Sequence, residues 1–91
     1  MRYLITYDIK DDKKRKKISD MLDGFGARVN FSVYECEISK SKLAHLKSEI
    51  EKLVDKKQDS VRFYFLCENC LSKSYELCDR GEIFSPITMD F

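Results

Sequence analysis

The sequence predicts an α+β domain on the ferredoxin-like β-α-β-β-α-β plan, with one additional strand at the C-terminal edge. Three observations carry this expectation. "RYLITYDI" and "SVRFYFLC" are rich in β-branched and aromatic residues and alternate as strands do. Two other stretches repeat apolar residues at helical spacing. Between those helices lies an extended segment long enough for two strands, which completes the order. At 91 residues the chain is read as one domain, 1–91.

Arg2 to Ile9 forms the first strand. Tyr3, Ile5, Tyr7 and Ile9 fall on one face, with Leu4, Thr6 and Asp8 on the other. Asp11 or Asp12 can cap the helix that follows, because a carboxylate satisfies free N–H groups and favours the positive helix end. Ile18, Met21, Leu22 and Phe25 make its apolar stripe, and Gly24 and Gly26 supply the stop. Ala27 to Ile38 is extended, but its alternation blurs at Phe31 and Ser32, so it reads as two short strands or one kinked strand. Ser39 or Ser41 caps the second helix, whose buried stripe is Leu43, Leu46, Ile50, Leu53 and Val54. Ser60 to Cys67 is the next strand, followed by a cysteine-rich connection. Pro86 makes the last piece an edge strand or an arm, 83–91, expected to pair with a partner subunit or another protein.

With 36% charged residues, three glycines and one proline, the composition is that of an ordered domain. The net charge of +1 conceals an asymmetry. From Lys10 to Lys17 six cations outweigh two acids, leaving that stretch at +4 and the remainder at −3. "YLITY" is too short for an export signal and runs directly into Asp8, and no apolar run could span a bilayer. A cytoplasmic location with reduced cysteines and no membrane partner is therefore expected.

The sheet face away from the helices is not written for water. Leu4, Thr6, Tyr64 and Leu66 fall there, which points to a partner sheet, most simply a two-fold homodimer. Asp8 lies at the end of that face, so a two-fold axis would bring two carboxylates together. A divalent cation relieves such repulsion, and Mg²⁺ (or Mn²⁺) suits carboxylate and water oxygens. The neighbouring Lys13, Lys14, Arg15, Lys16 and Lys17 would hold phosphates. Arg15 lies three and seven residues before Ile18 and Leu22, at the border of the buried stripe. It is expected to lean towards the strand end and Asp8, where its fork suits a phosphate or carboxylate. The plainer readings are a capping acid and a solvated charged face.

"YDIKDDKKRKK", "FGARVNFSVYECEI" and "DSVRFYFLCENC" together resemble the small CRISPR-associated nucleases of the Cas2 family, in register from Arg2 to about Cys70. The resemblance implies a homodimer with Asp8 as Mg²⁺ ligand and catalytic residue at the dimer crevice. It also implies assembly with the Cas1 integrase in CRISPR adaptation, an antiviral defence, on duplex DNA. By the same resemblance, Tyr7 is the aromatic before the acid, Arg15 and Arg28 are nucleic-acid-binding positions, and Ser32 and Tyr34 are supporting positions. Lys17 stands where some members have Arg. The expected reaction is metal-assisted endonucleolytic hydrolysis of DNA, RNA or both. The alternatives are a catalytically silent DNA-binding scaffold and an RNA-cleaving, toxin-like relative.

"CENC" (Cys67 to Cys70) with Cys36 and Cys78 could form a zinc site if the fold gathers them, and a thiol metal carrier is a further class on this fold. Small, partly buried thiols are the commoner use. His45 is expected at an exposed or border position, and Glu35 and Glu37 are expected to pair with surface lysines, the alternatives being a partner-facing acidic edge or a second metal ligand.

Overall fold

The first strand, β1 (Arg2–Asp8), sits in the middle of a four-stranded antiparallel sheet ordered β2-β3-β1-β4. The computed structural model describes residues 1–78, 80, 83 and 84. The remaining elements are α1 (Asp12–Asp23), β2 (Gly26–Asn30), β3 (Val33–Glu37), α2 (Lys40–Glu51), β4 (Ser60–Leu66) and α3 (Glu68–Ser72). The expected α+β plan is present. The expected terminal strand or arm lies largely outside the described residues.

Burial along β1 alternates as the sequence does: Tyr3, Ile5 and Tyr7 are buried, whereas Leu4 and Thr6 are half-buried and Asp8 is exposed. Ile18 and Leu22 of α1, and Leu46 and Ile50 of α2, join that buried row with Tyr34, Cys36 and Ile38. Burying each aliphatic side chain contributes about 1.5–3 kcal/mol relative to leaving it in water. Cross-strand register carries the opposite face: Leu4 stands beside Glu35 and Tyr64, Thr6 beside Val33 and Arg62, and Asp8 beside Ser60.

The extended segment resolves into a hairpin, not a kinked strand. β2 and β3 are separated by Phe31 and Ser32, and the register shifts between Arg28 and Asn30. That irregularity is the reason the alternation blurs in the sequence. The cysteine-rich connection contains a one-turn helix, α3, too short to leave a periodic signature.

Capping chemistry fixes both long helices. Asp11 is the α1 cap, and its Oδ2 accepts the Lys14 N–H at 2.9 Å. Ser39 caps α2, accepting from the Lys42 N–H. Asp11→Ala is expected to lower unfolding free energy by about 1 kcal/mol, read as a shift in urea midpoint at unchanged slope. Gly24 ends α1 as expected, with ordinary right-handed backbone (φ −78°). Gly26 lies inside β2, where it lets that strand approach β3.

Cys36 is fully buried against this core, and burial pushes its thiol up to about 12. The folded state thus keeps the proton that the unfolded chain loses near pH 9. This contribution is complete below the ordinary thiol range and is lost as pH rises towards 12. Chemical denaturation in steps across that window should show stability falling, and Cys36→Ala should lose less over the same interval. Equal losses would remove Cys36 from the alkaline limb.

Candidate nucleic-acid interface and acidic site

Two surfaces carry the residues singled out in the sequence, and β1 lies between them. Tyr7 turns towards the helices and Asp8, its neighbour, towards the open sheet face. This is a consequence of strand alternation alone.

Asp8 ends β1 with its side chain 71% exposed. Lys10 Nζ approaches Asp8 Oδ2 at 3.4 Å. Such an exposed pair is weak and easily exchanged for another cation. The backbone beneath is held firmly. Asp59 Oδ1 accepts the Lys10 N–H at 2.9 Å, and Oδ2 accepts the Asp55 N–H at 2.8 Å. These two backbone bonds, from Asp55 first and then Lys10, hold the Asp59 carboxyl below its usual range. Asp59 therefore clamps the loop before β4 onto the turn that follows Asp8. The sequence reading missed this residue; its signal is an acid in a polar loop one position before a strand.

Arg15 leans to the strand end, as expected, but pairs there with groups other than Asp8. Its Nη1 donates to the Ile9 carbonyl at 2.9 Å, and Nη2 pairs with Asp12, one turn back on the same helix. Helical spacing gave the side of α1 correctly, but nearer acceptors take the guanidinium. Lys10 is the cation beside Asp8. Lys13, Lys14, Lys16 and Lys17 are exposed, and Lys16 pairs with Asp20 at 3.2 Å.

A groove of about 390 Å³ runs between α1 and the hairpin. Arg15, Lys16 and Arg28 supply its cations, beside Tyr7, Ser32 and the hairpin-tip Phe31. Phe31 is 88% exposed, an unusual degree for a phenylalanine, and lines the same groove as those cations. The Tyr7 hydroxyl donates to the Phe31 carbonyl at 3.3 Å, and the Tyr7 N–H donates to the Ser32 carbonyl at 3.1 Å, which fixes the hairpin base. Asp8 does not line this groove.

Arg28 is oriented by a network that the sequence only half revealed. Its Nε donates to the Tyr34 hydroxyl at 2.8 Å, and Nη2 donates to Ser19 Oγ. The Tyr34 hydroxyl in turn donates to Asp23 Oδ1 at 2.7 Å and meets Ser19 Oγ at 3.0 Å. Burial, the largest cause, raises the Tyr34 phenol above its ordinary value. The bond to Tyr34 raises the Arg28 guanidinium, so both groups keep their protons. Ser19 was missed because a serine beside Ile18 reads as the wet border of the helix.

The thiols do not gather. Cys36 is buried while Cys67, Cys70 and Cys78 are exposed, and among the described residues no group of three His, Cys, Asp or Glu side chains could hold a metal ion. That removes the four-thiolate zinc site. His45 is exposed. Glu37 pairs with Arg2 at 3.1 Å, and Glu35 accepts the Phe84 N–H at 2.8 Å, so neither meets the lysines expected. Among the described residues, no helix is long and apolar enough to cross a membrane.

A four-stranded β-α-β-β-α-β sheet with helices on one face, an acid at the end of a central strand and a groove lined by three cations defines a ferredoxin-like domain. The family model for CRISPR associated protein Cas2 matches residues 1–74, and the chain belongs to that family. It is 46% identical over 71 residues to CRISPR-associated endoribonuclease Cas2 3 of Synechocystis sp., covering 78% of this chain and 77% of that one. The crystal structure of Streptococcus pyogenes Cas2 at pH 6.5 is similar with a TM-score of 0.74 and 29% identity, over 86% of this chain and all of that one. A chain of a partial Cas6-RT-Cas1–Cas2 complex matches with a TM-score of 0.74 and 27% identity, over 94% of this chain and 98% of that one.

Proposed function

We propose that the protein is a metal-dependent endonuclease that acts as a homodimer and works with the Cas1 integrase in CRISPR adaptation. The observation that carries this reading is Asp8, an exposed carboxylate at the mouth of the open sheet face, answered among the described residues by one weakly held lysine. The endoribonuclease name of the Synechocystis relative supports a nuclease, and the Cas1–Cas2 complex supports the integrase partner.

The donor set suits Mg²⁺ or Mn²⁺ only in part. One chain offers one hard carboxylate and, among the described residues, no cluster of three ligands. A hydrated Mg²⁺ accepts one or two carboxylates, so Asp8 with the same residue of a second copy would hold it. When bound, the ion would lower the pKa of water and offset phosphate charge. The protein's own groups bind and orient. Lys10, beside Asp8, would neutralise a phosphate oxygen. Arg15, Lys16 and Arg28 hold the polyanion on the groove side, with Arg28 fixed in direction by Tyr34 and Ser19. Half-buried Leu4, Thr6, Val33 and Leu66 supply apolar surface for the second copy.

The test is side-by-side digestion of single-stranded RNA and duplex DNA with Mg²⁺, Mn²⁺ or chelator, alongside sedimentation of the same sample. Cleavage that requires the ion, by a species of twice the chain mass, is the expected result. Cleavage of RNA alone would favour the toxin-like reading. Duplex DNA and Cas1 binding with no cleavage of either substrate would favour the silent scaffold.

A further inference from the structure

Cys67 and Cys70 are a close pair of exposed thiols that neither surface uses. They flank the first turn of α3, with Cys67 as its cap residue and Cys70 three positions on. Cα atoms three apart on a helical turn lie roughly 5–5.5 Å apart, inside the range a disulfide requires. Cys67 Sγ already points over that turn, because it accepts the Cys70 N–H at 3.4 Å. Both side chains are exposed, so a small reagent can reach them, whereas Cys36 is sealed in the core.

We propose that Cys67 and Cys70 form a reversible dithiol–disulfide couple, oxidised by small-molecule disulfides. Cys67 thiolate attacks one sulfur of the reagent, its S–S bond breaks, and one small thiolate leaves and takes up a proton. Cys70, deprotonated, then attacks Cys67 Sγ, and the second small thiol is released. Two electrons and two protons pass from the protein pair to the reagent. The order follows from the surroundings. Hydrogen bonds from Cys70, backbone first, lower the Cys67 thiol below its ordinary value, while Cys70 is raised by donating to Cys67. The helix sits where this could be felt: Glu68, between the pair, binds Arg2 at the start of β1.

The test uses the full chain, reduced and then equilibrated in glutathione buffers of graded oxidation, quenched in acid and mapped by mass spectrometry. Expected is a species lighter by two hydrogens, with the bond mapped to Cys67–Cys70 and two thiols still alkylated after denaturation. Cys70→Ser should stop at a glutathione adduct on Cys67, and Cys67→Ser should slow the first step about tenfold or more. A bond mapped to Cys78, a persistent glutathione adduct on the unmutated chain, or Cys67→Ser reacting at the unmutated rate would overturn the assignment.

Discussion

Asp8→Asn is expected to lower metal-dependent phosphodiester cleavage by about a hundredfold or more, since ion-held charge stabilisation supplies several kcal/mol of barrier lowering. The fold should not notice. Asp8 is exposed, its one side-chain partner among the described residues is Lys10 at 3.4 Å, and the turn after it is held by Asp59. Thermal unfolding should therefore stay within about 0.5 kcal/mol of the unmutated chain. The decisive measurement is initial cleavage rate against Mg²⁺ or Mn²⁺ concentration, with binding of duplex DNA and Cas1 followed in parallel. An unchanged rate removes Asp8 from the chemistry. A lost rate with retained binding separates the nuclease from the assembly role.

Gly26→Ala is expected to be the most damaging small substitution, at about 2–4 kcal/mol of stability. An added Cβ would overlap the Glu35 carbonyl oxygen and lie 2.6 Å from Cys36 Sγ and 3.1 Å from Cys36 Cα. Two of those three neighbours are backbone atoms of β3, so the hairpin itself would have to open. Gly24→Ala is the control. Its Cβ would meet only the Met21 carbonyl oxygen at 3.4 Å, and the backbone there is right-handed. It should leave the urea midpoint nearly unchanged or raise it slightly. Similar losses in both variants would contradict the close approach at Gly26.

Much of the fold was legible because burial follows the sequence period wherever one face is apolar. β1 and α1 are clear for that reason. The hairpin was blurred because a register shift between Arg28 and Asn30 breaks the period just where two strands must be told from one. α3 was hidden by its length. Of the candidate site, the placement of Asp8 at a strand end and of the cations on the following helix was readable from position alone. The partner of Arg15 was not, because periodicity gives an azimuth on a helix and says nothing of which nearby oxygen wins. The pairing of Arg28 with Ser19 and Tyr34 joins three elements, and Asp59 acts through a loop. Such contacts exist only once the chain has closed on itself.

The strict inside–outside order of β1 has a practical result for anyone altering this molecule. Positions 3, 5 and 7 address the interior, and positions 4, 6 and 8 address the outer surface. A combinatorial library confined to the even set could retune what the exposed side accepts while the interior stays as it is. Insertion of one residue there would exchange the two sets and bring an acid inward.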